Sequence, residues 1–127
     1  MKKKIITTLN APAPLGPYNQ AVKSGNTLYI SGQIPLIPET MELFSGTIKE
    51  ETELVMNHLN AIWEAADMKF EHVVKTSIFI DDMDNFGKIN DVYGRFFNND
   101  TAPARETVAV KTLPKNVRIE ISMIAVK

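Results

Sequence analysis

The chain has 127 residues, and its 14 basic and 15 acidic side chains leave a formal charge of −1, without the basic excess that nonspecific nucleic-acid binding needs. Hydrophobic residues make up 44% of the chain and charged residues 23%, a composition that predicts one globular domain spanning residues 1–127. The charge balance disfavours a nucleic-acid partner. The absence of cysteine excludes thiol nucleophiles, disulfides and thiolate metal sites.

The first residues are basic but lack an apolar run. Lys2, Lys3 and Lys4 are followed only by Ile5 and Ile6 before polar residues return. We therefore expect neither a signal peptide nor a membrane-spanning segment, and we expect a cytoplasmic protein.

Residues 19–23 and 27–31 predict two short strands joined by a turn over residues 24–26. Gly25 supplies the positive φ that a tight turn needs, so the pair predicts a β-hairpin. Residues 33–46 contain two prolines and several apolar side chains. They predict a loop that packs against another surface.

The capping-box residues Thr47 and Glu50 predict the start of a helix over residues 48–66. Its apolar positions repeat at helical spacing and are Val55, Leu59, Ile62 and Ala66. The β-branched and aromatic run over residues 73–80 predicts a buried strand. Asp84 then predicts the cap of a second helix, whose apolar face is Ile89, Val92, Tyr93, Phe96 and Phe97.

Residues 105–111 and 117–126 predict a second hairpin, with the turn over residues 112–116. The resulting order, ββ-α-β-α-ββ, predicts an α+β fold with both helices on one face of the sheet. In the last strand the face opposite Ile119 and Ile121 begins polar but ends on Ile124 and Val126. We expect a partner subunit to cover part of that face.

The predicted second hairpin brings an arginine, a hydroxyl and a carboxylate together. Pairing its two apolar faces places Arg105 and Thr107 on the same face as Glu120. From geometry alone this group is either an exposed ion pair, worth about 0 to 1 kcal/mol, or the polar centre of a binding site.

Other candidate groups favour structural roles. Asp81, Asp82 and Asp84 lack the spacing of a calcium loop and suit the start of a helix, so no metal site is expected. His58 and His72 lack metal-ligand spacing and are interpreted as surface residues. Phosphate-binding loops, dinucleotide fingerprints and serine-hydrolase elbows are absent.

Short motifs spread over nearly the whole chain resemble those of the RidA (YjgF) family. The chain contains, in order, Asn10-Ala11-Pro12, Gly16-Pro17-Tyr18, Ser31-Gly32-Gln33-Ile34-Pro35, Val74-Lys75-Thr76, Asn90 with Tyr93 and Phe96-Phe97, Pro103-Ala104-Arg105, and Leu113-Pro114 with Ile119-Glu120-Ile121. Each motif is short, but their number, order and spacing make the resemblance specific.

The resemblance implies a chorismate-mutase-like α+β fold with a single layer of mixed sheet, and a homotrimer with an active site at each subunit interface. It also implies hydrolytic deamination, without metal or cofactor, of enamines and imines such as 2-aminoacrylate and 2-aminocrotonate to 2-keto acids and ammonia. Arg105 would bind the substrate carboxylate, and Glu120, ionised beside that arginine, would activate water. The substrate pocket would be formed by Tyr18, Ser31, Gly32, Asn90 and Thr107.

The chain departs from the family pattern at Thr107, where many members have cysteine, and at Glu106, which alternation directs away from Arg105. Two other functions remain open. One is a noncatalytic trimer that binds a 2-keto acid through Arg105, and the other is a single-strand endoribonuclease that inhibits translation. The near-zero charge and the absence of a base-stacking strip count against the ribonuclease.

Overall fold

A computed structural model describes residues 2–127 and contains six strands and two α-helices. The strands are β1 (Lys3–Ile6), β2 (Ala21–Ser24), β3 (Thr27–Gln33), β4 (Val73–Ile80), β5 (Ala104–Ala109) and β6 (Ile119–Val126), and the helices are α1 (Ile48–Ala65) and α2 (Phe86–Tyr93). The strands form one mixed sheet in the order β1-β2-β3-β6-β4-β5. The predicted α+β fold is confirmed.

The local predictions with the clearest signals agree with the structure. Strands β2 and β3 pair as an antiparallel hairpin, and β4 has the predicted bounds. At the start of α1 the Glu50 amide donates to Thr47 Oγ1 (3.1 Å), and the Thr47 amide donates to Glu50 Oε1 (2.9 Å). This reciprocal pair is the predicted capping box.

Two features of the ends of elements differ from prediction. The basic first residues form β1, which pairs with β2 and was not predicted because four residues carry too little pattern. Helix α2 begins at Phe86, and Asp82, not Asp84, caps the turn before it, since Asp82 Oδ1 accepts the Asp84 amide (2.9 Å).

The predicted hairpin of the last two strands is wrong. Strand β4 lies between β5 and β6, parallel to β5 and antiparallel to β6. The unit β4-α2-β5 is a crossover connection, which joins parallel strands, so β5 is added at the sheet edge. The chain then returns to insert the apolar β6 at the centre, where both of its neighbours protect it.

The main core lies between the helices and one face of the sheet, called here the helix face; the other is called the outer face. Val55, Leu59 and Ile62 of α1 and Ile119 and Ile121 of β6 are completely buried in this core. A smaller apolar cluster comprises Ile34, Leu36, Leu113 and Val117. The prediction that loop 33–46 packs against another surface is therefore confirmed.

His58 belongs to the interior, so its interpretation as a surface residue is wrong. Its side chain is 2% exposed, and its Nε2–H donates to the Leu36 carbonyl oxygen (2.7 Å). The loop thus supplies a partner for the buried imidazole of α1.

No helix within residues 2–127 is long and apolar enough to span a membrane.

Candidate functional site

The predicted site residues form two clusters on opposite faces of the sheet. Tyr18, Ser31, Gly32 and Glu120 line one cavity of about 460 Å³. Asn90, Arg105 and Thr107 lie together on the helix face instead. In the parallel register Arg105 is beside the buried Thr76 and Thr107 beside Ile78, whereas Glu120 is beside Phe79 on the outer face. The expectation that Arg105, Thr107 and Glu120 share one face of a single chain is therefore wrong.

The cavity is an apolar chamber with one acidic group. Its walls come from the segment before β2, from β3 and from the loop after β3, and include Pro12, Leu15 and Leu36. Among the described residues 2–127, Glu120 is the only carboxylate in the lining, and no lysine, arginine or histidine contributes to it. Such a chamber favours a small organic ligand over a polyanion.

The Glu120 carboxylate lies close to the backbone of β3. The pairing of β3 with β6 shifts between Ile30 and Gln33, and Gly32 lies within this irregularity. Within residues 2–127 the Glu120 carboxylate has no hydrogen bond or ion pair, and burial raises the pKa of this carboxyl group. The arginine expected to keep it ionised is not its neighbour in the same chain.

Ser31 and Tyr18 support the rim of the cavity. Ser31 Oγ donates to the Asn19 carbonyl (2.6 Å), and the Leu15 amide donates to the Tyr18 hydroxyl (3.1 Å). Tyr18 is 45% exposed, so its ring can meet a ligand or another molecule at the cavity mouth.

In the second cluster, formed by Asn90, Arg105 and Thr107, the Arg105 guanidinium has no carboxylate partner among the described residues. Arg105 Nη1 donates to Asn90 Oδ1 (2.7 Å), and the guanidinium carbon is 4.9 Å from the Tyr93 ring centroid and 5.6 Å from that of Phe86. The guanidinium group makes no other hydrogen bond or ion pair within residues 2–127, so most of its N–H donors remain available. The arrangement restrains the guanidinium plane and leaves a pair of N–H donors of the kind that a carboxylate accepts.

The other members of this cluster are anchored or unpaired. Tyr93 donates its hydroxyl to Thr76 Oγ1 (3.0 Å), and burial raises the pKa of Tyr93. The Thr107 hydroxyl oxygen is inaccessible to solvent and has no hydrogen-bond partner among the described residues. A buried hydroxyl without a partner is uncommon, and an acceptor or donor from outside the chain would satisfy it.

Sequence reasoning assigned Tyr93 to the core and missed its second role beneath Arg105. The spacing of Asn90 and Tyr93, three residues apart on one helix, places them on the same face and is the signal that could have revealed it. Glu106 points away from Arg105 as predicted, but because the predicted hairpin is wrong it lies on the outer face, where it pairs with Lys75 (2.7 Å) and accepts a hydrogen bond from Ser77. The hydrogen bond from Lys75 and, next, that from Ser77 lower the pKa of Glu106.

No group of three or more histidine, aspartate or glutamate side chains in residues 2–127 could hold a metal ion.

This chain is similar to known proteins over nearly its whole length, including both clusters. The family described as Endoribonuclease L-PSP matches residues 8–127. A 2-iminobutanoate/2-iminopropanoate deaminase from Dermatophagoides farinae is 47% identical over 98% of this chain and 96% of that protein. The crystal structure of a putative endoribonuclease from Thermotoga maritima has a TM-score of 0.95 and 51% identity, covering 100% of this chain and 98% of the other. Escherichia coli TdcF, solved with bound serine, has a TM-score of 0.91 and 40% identity over 98% of each chain.

Proposed function

The chain belongs to the Endoribonuclease L-PSP (RidA) family, and on this premise we propose that it hydrolyses 2-imino acids, and the enamines that tautomerise to them, to 2-keto acids and ammonia. The observation that carries this proposal is the complementarity of the two clusters. Arg105 is a preorganised cation without an acid, and Glu120 is an acid in an apolar cavity without a cation.

The active site is proposed to form between subunits of a homotrimer. The Arg105 cluster of one subunit would close the Glu120 cavity of the next, because one chain holds the two groups on opposite faces of its sheet. Exposed apolar residues on the outer face support association: Tyr29 is 51% exposed, Val108 40% and Val126 41%. These side chains would otherwise leave a large apolar surface in water.

The Arg105 cluster suits the carboxylate of a 2-imino acid. A planar guanidinium can donate two charge-assisted hydrogen bonds to a carboxylate, while Asn90 and the Tyr93 ring hold its orientation. The bound serine in the TdcF structure supports this assignment, since serine carries the same carboxylate next to a nitrogen-bearing carbon.

Glu120 suits the activation of water. The water oxygen adds to C2 of the protonated imine while Glu120 accepts one water proton, which gives a carbinolamine. Glu120 returns that proton to nitrogen, the C2–N bond breaks with its electron pair leaving on ammonia, and the hydroxyl proton passes to Glu120 or to ammonia as the keto group forms. A carboxyl whose pKa is raised by burial is closer to the working pH and exchanges protons more readily with such an intermediate.

The direct test is a coupled assay. Threonine dehydratase generates 2-aminocrotonate, and the appearance of the 2-keto acid is followed with and without this protein. We expect the protein to accelerate this step, and an unchanged rate would refute the proposed activity. Light scattering behind size exclusion tests the assembly, because a monomer mass at micromolar concentration would remove the composite site.

A noncatalytic 2-keto acid binder would use the same Arg105 cluster, and the assay separates it because a binder gives no acceleration. The ribonuclease hypothesis rests on the description of the family and on the similarity to the putative endoribonuclease from Thermotoga maritima. The apolar cavity, the formal charge of −1 and the burial of His58 favour the deaminase instead.

A further inference from the structure

The segment of residues 8–18, called here the cavity segment, forms much of the cavity wall but has no regular secondary structure. It lies between β1 and β2 and supplies six of the fourteen lining residues found in the described part of the chain. These are Pro12, Ala13, Leu15, Gly16, Pro17 and Tyr18. Irregular backbone of this kind needs side-chain partners to hold one conformation.

A single side chain supplies those partners. The Thr8 amide donates to Gln20 Oε1 (2.7 Å), and Gln20 Nε2 donates to the carbonyl oxygens of Thr8 (3.0 Å), Ala11 (3.2 Å) and Pro12 (2.9 Å). The remaining hydrogen bonds of the cavity segment stay inside it. In the described chain, every hydrogen bond from the segment to a residue outside it therefore ends on Gln20.

Gln20 also connects the cavity segment to the other walls of the cavity. Its side chain is 3% exposed and itself lines the cavity. Its carbonyl accepts the Ser31 amide (3.0 Å), which lies next to Gly32 and the Glu120 carboxylate. The residue thus joins the segment that carries Tyr18 to the strand that faces Glu120.

Only an amide of this length meets the donor and acceptor pattern. A carboxylate would present oxygen to three carbonyl oxygens, and an aliphatic chain would leave those carbonyls without this donor. The apolar contacts of the buried Ala11 would remain in either case, so the fold itself does not depend on Gln20 alone.

We propose that Gln20 is a positioning residue that holds the cavity segment in place and thereby sets substrate affinity, without taking part in proton transfer. This inference rests on the proposed deaminase function. Because Glu120 and Arg105 are carried by strands that Gln20 does not hold in the sheet, loss of Gln20 should weaken binding more than it slows the chemical step.

The test uses Gln20→Leu and the milder Gln20→Asn in the full-length assembly, with Thr52→Val as a control. Thr52 donates a buried hydrogen bond to the Ile48 carbonyl (2.7 Å) within α1, away from the cavity lining. In the coupled assay, at a temperature where all variants remain folded, we expect Gln20→Leu to raise KM by about tenfold or more and to change kcat by less than about threefold. Gln20→Asn should shift KM in the same direction, and Thr52→Val should leave KM unchanged.

A wild-type KM in the folded Gln20 variants, or a fall in kcat at constant KM, would overturn the inference. If Gln20→Leu does not fold, Gln20→Asn decides by the same criteria. If the wild type lacks deaminase activity, the proposed function fails and hydrogen exchange decides the positioning role by itself. We then expect the non-proline amides of residues 8–18 to exchange about tenfold faster in the variant, with β6 unchanged, and equal exchange would overturn the role.

Discussion

Gly32 lies so close to Glu120 that a β-carbon at position 32 would be 2.7 Å from Glu120 Cδ. A real β-carbon essentially never comes this close to another atom, so a side chain at position 32 would force the end of the Glu120 side chain to move. The irregular pairing of β3 with β6 at this point leaves room for the carboxylate above the backbone. Gly32 therefore determines where the proposed water-activating group lies.

Gly32→Ala should move the Glu120 carboxylate and leave the fold intact, because the flexible end of the glutamate can shift into the cavity. We expect kcat to fall by about tenfold or more as the carboxylate leaves its position near the attacking water. Gly87→Ala is the matched control, since a β-carbon at position 87 meets nothing within 4 Å. A Gly32→Ala enzyme with wild-type turnover would show that the position of Glu120 is unimportant.

Arg105→Lys should preserve the fold and the assembly but weaken substrate binding. Lysine keeps the charge and loses the planar pair of donors, which should cost about 1.5 to 3 kcal/mol, or about 10- to 150-fold in kcat/KM. Steady-state kinetics measure the effect, with Arg95→Lys as the control because Arg95 is an exposed arginine just after α2. Near wild-type kinetics in Arg105→Lys would show that Arg105 does not bind the substrate and only contacts Asn90 and Tyr93.

Glu120→Gln should abolish the base while conserving volume. We expect turnover to fall at least about tenfold, and the affinity for an inert 2-keto acid, measured by calorimetry, to stay within about tenfold. Glu53→Gln, an exposed acid on α1, controls for the loss of charge. Unchanged turnover would exclude Glu120 as the group that activates water, and parallel loss of turnover and binding would indicate a collapsed pocket.

His58 should make stability depend on pH. Burial lowers the pKa of His58 below its ordinary 6.5, although the Leu36 carbonyl and Glu39 act in the opposite direction. The folded state therefore binds fewer protons than the unfolded state, and stability present above pH 6.5 is lost as the pH falls toward the folded pKa.

Denaturant unfolding between about pH 7.5 and about pH 5.5 measures this effect for the wild type and for His58→Gln, which can still donate to the Leu36 carbonyl. We expect the wild type to lose up to about 1.4 kcal/mol more stability than the variant over this range. Identical pH dependence in the two proteins would show that His58 does not titrate during unfolding.

The elements of this fold follow from local pattern, but their pairing does not. Strand alternation correctly separated Ile119 from Glu120, and the capping box located the start of α1. The face on which Arg105 lies depends on its neighbour strand, and the crossover through α2 places β4 there. That choice is made by long-range packing of apolar faces, which a hairpin signal between adjacent strands cannot reveal.

The site residues show the same limit. Motif resemblance predicts roles for Arg105 and Glu120 individually, whereas their separation onto opposite faces is visible only from the sheet order. Gln20 gave no signal beyond a polar residue before a strand, because its partners are backbone atoms of an irregular segment.

The central claim is that each active site takes Arg105 from one subunit and Glu120 from another. Subunits carrying Arg105→Leu and subunits carrying Glu120→Gln, each nearly inactive alone, are mixed in equal amounts by refolding together, and the activity is compared with that of the separate variants. Random mixing in a cyclic trimer leaves both native residues at about one quarter of the interfaces, so activity should recover to about one quarter of the wild-type value. Activity no greater than the average of the two separate variants, in mixed trimers verified by mass, would contradict the claim.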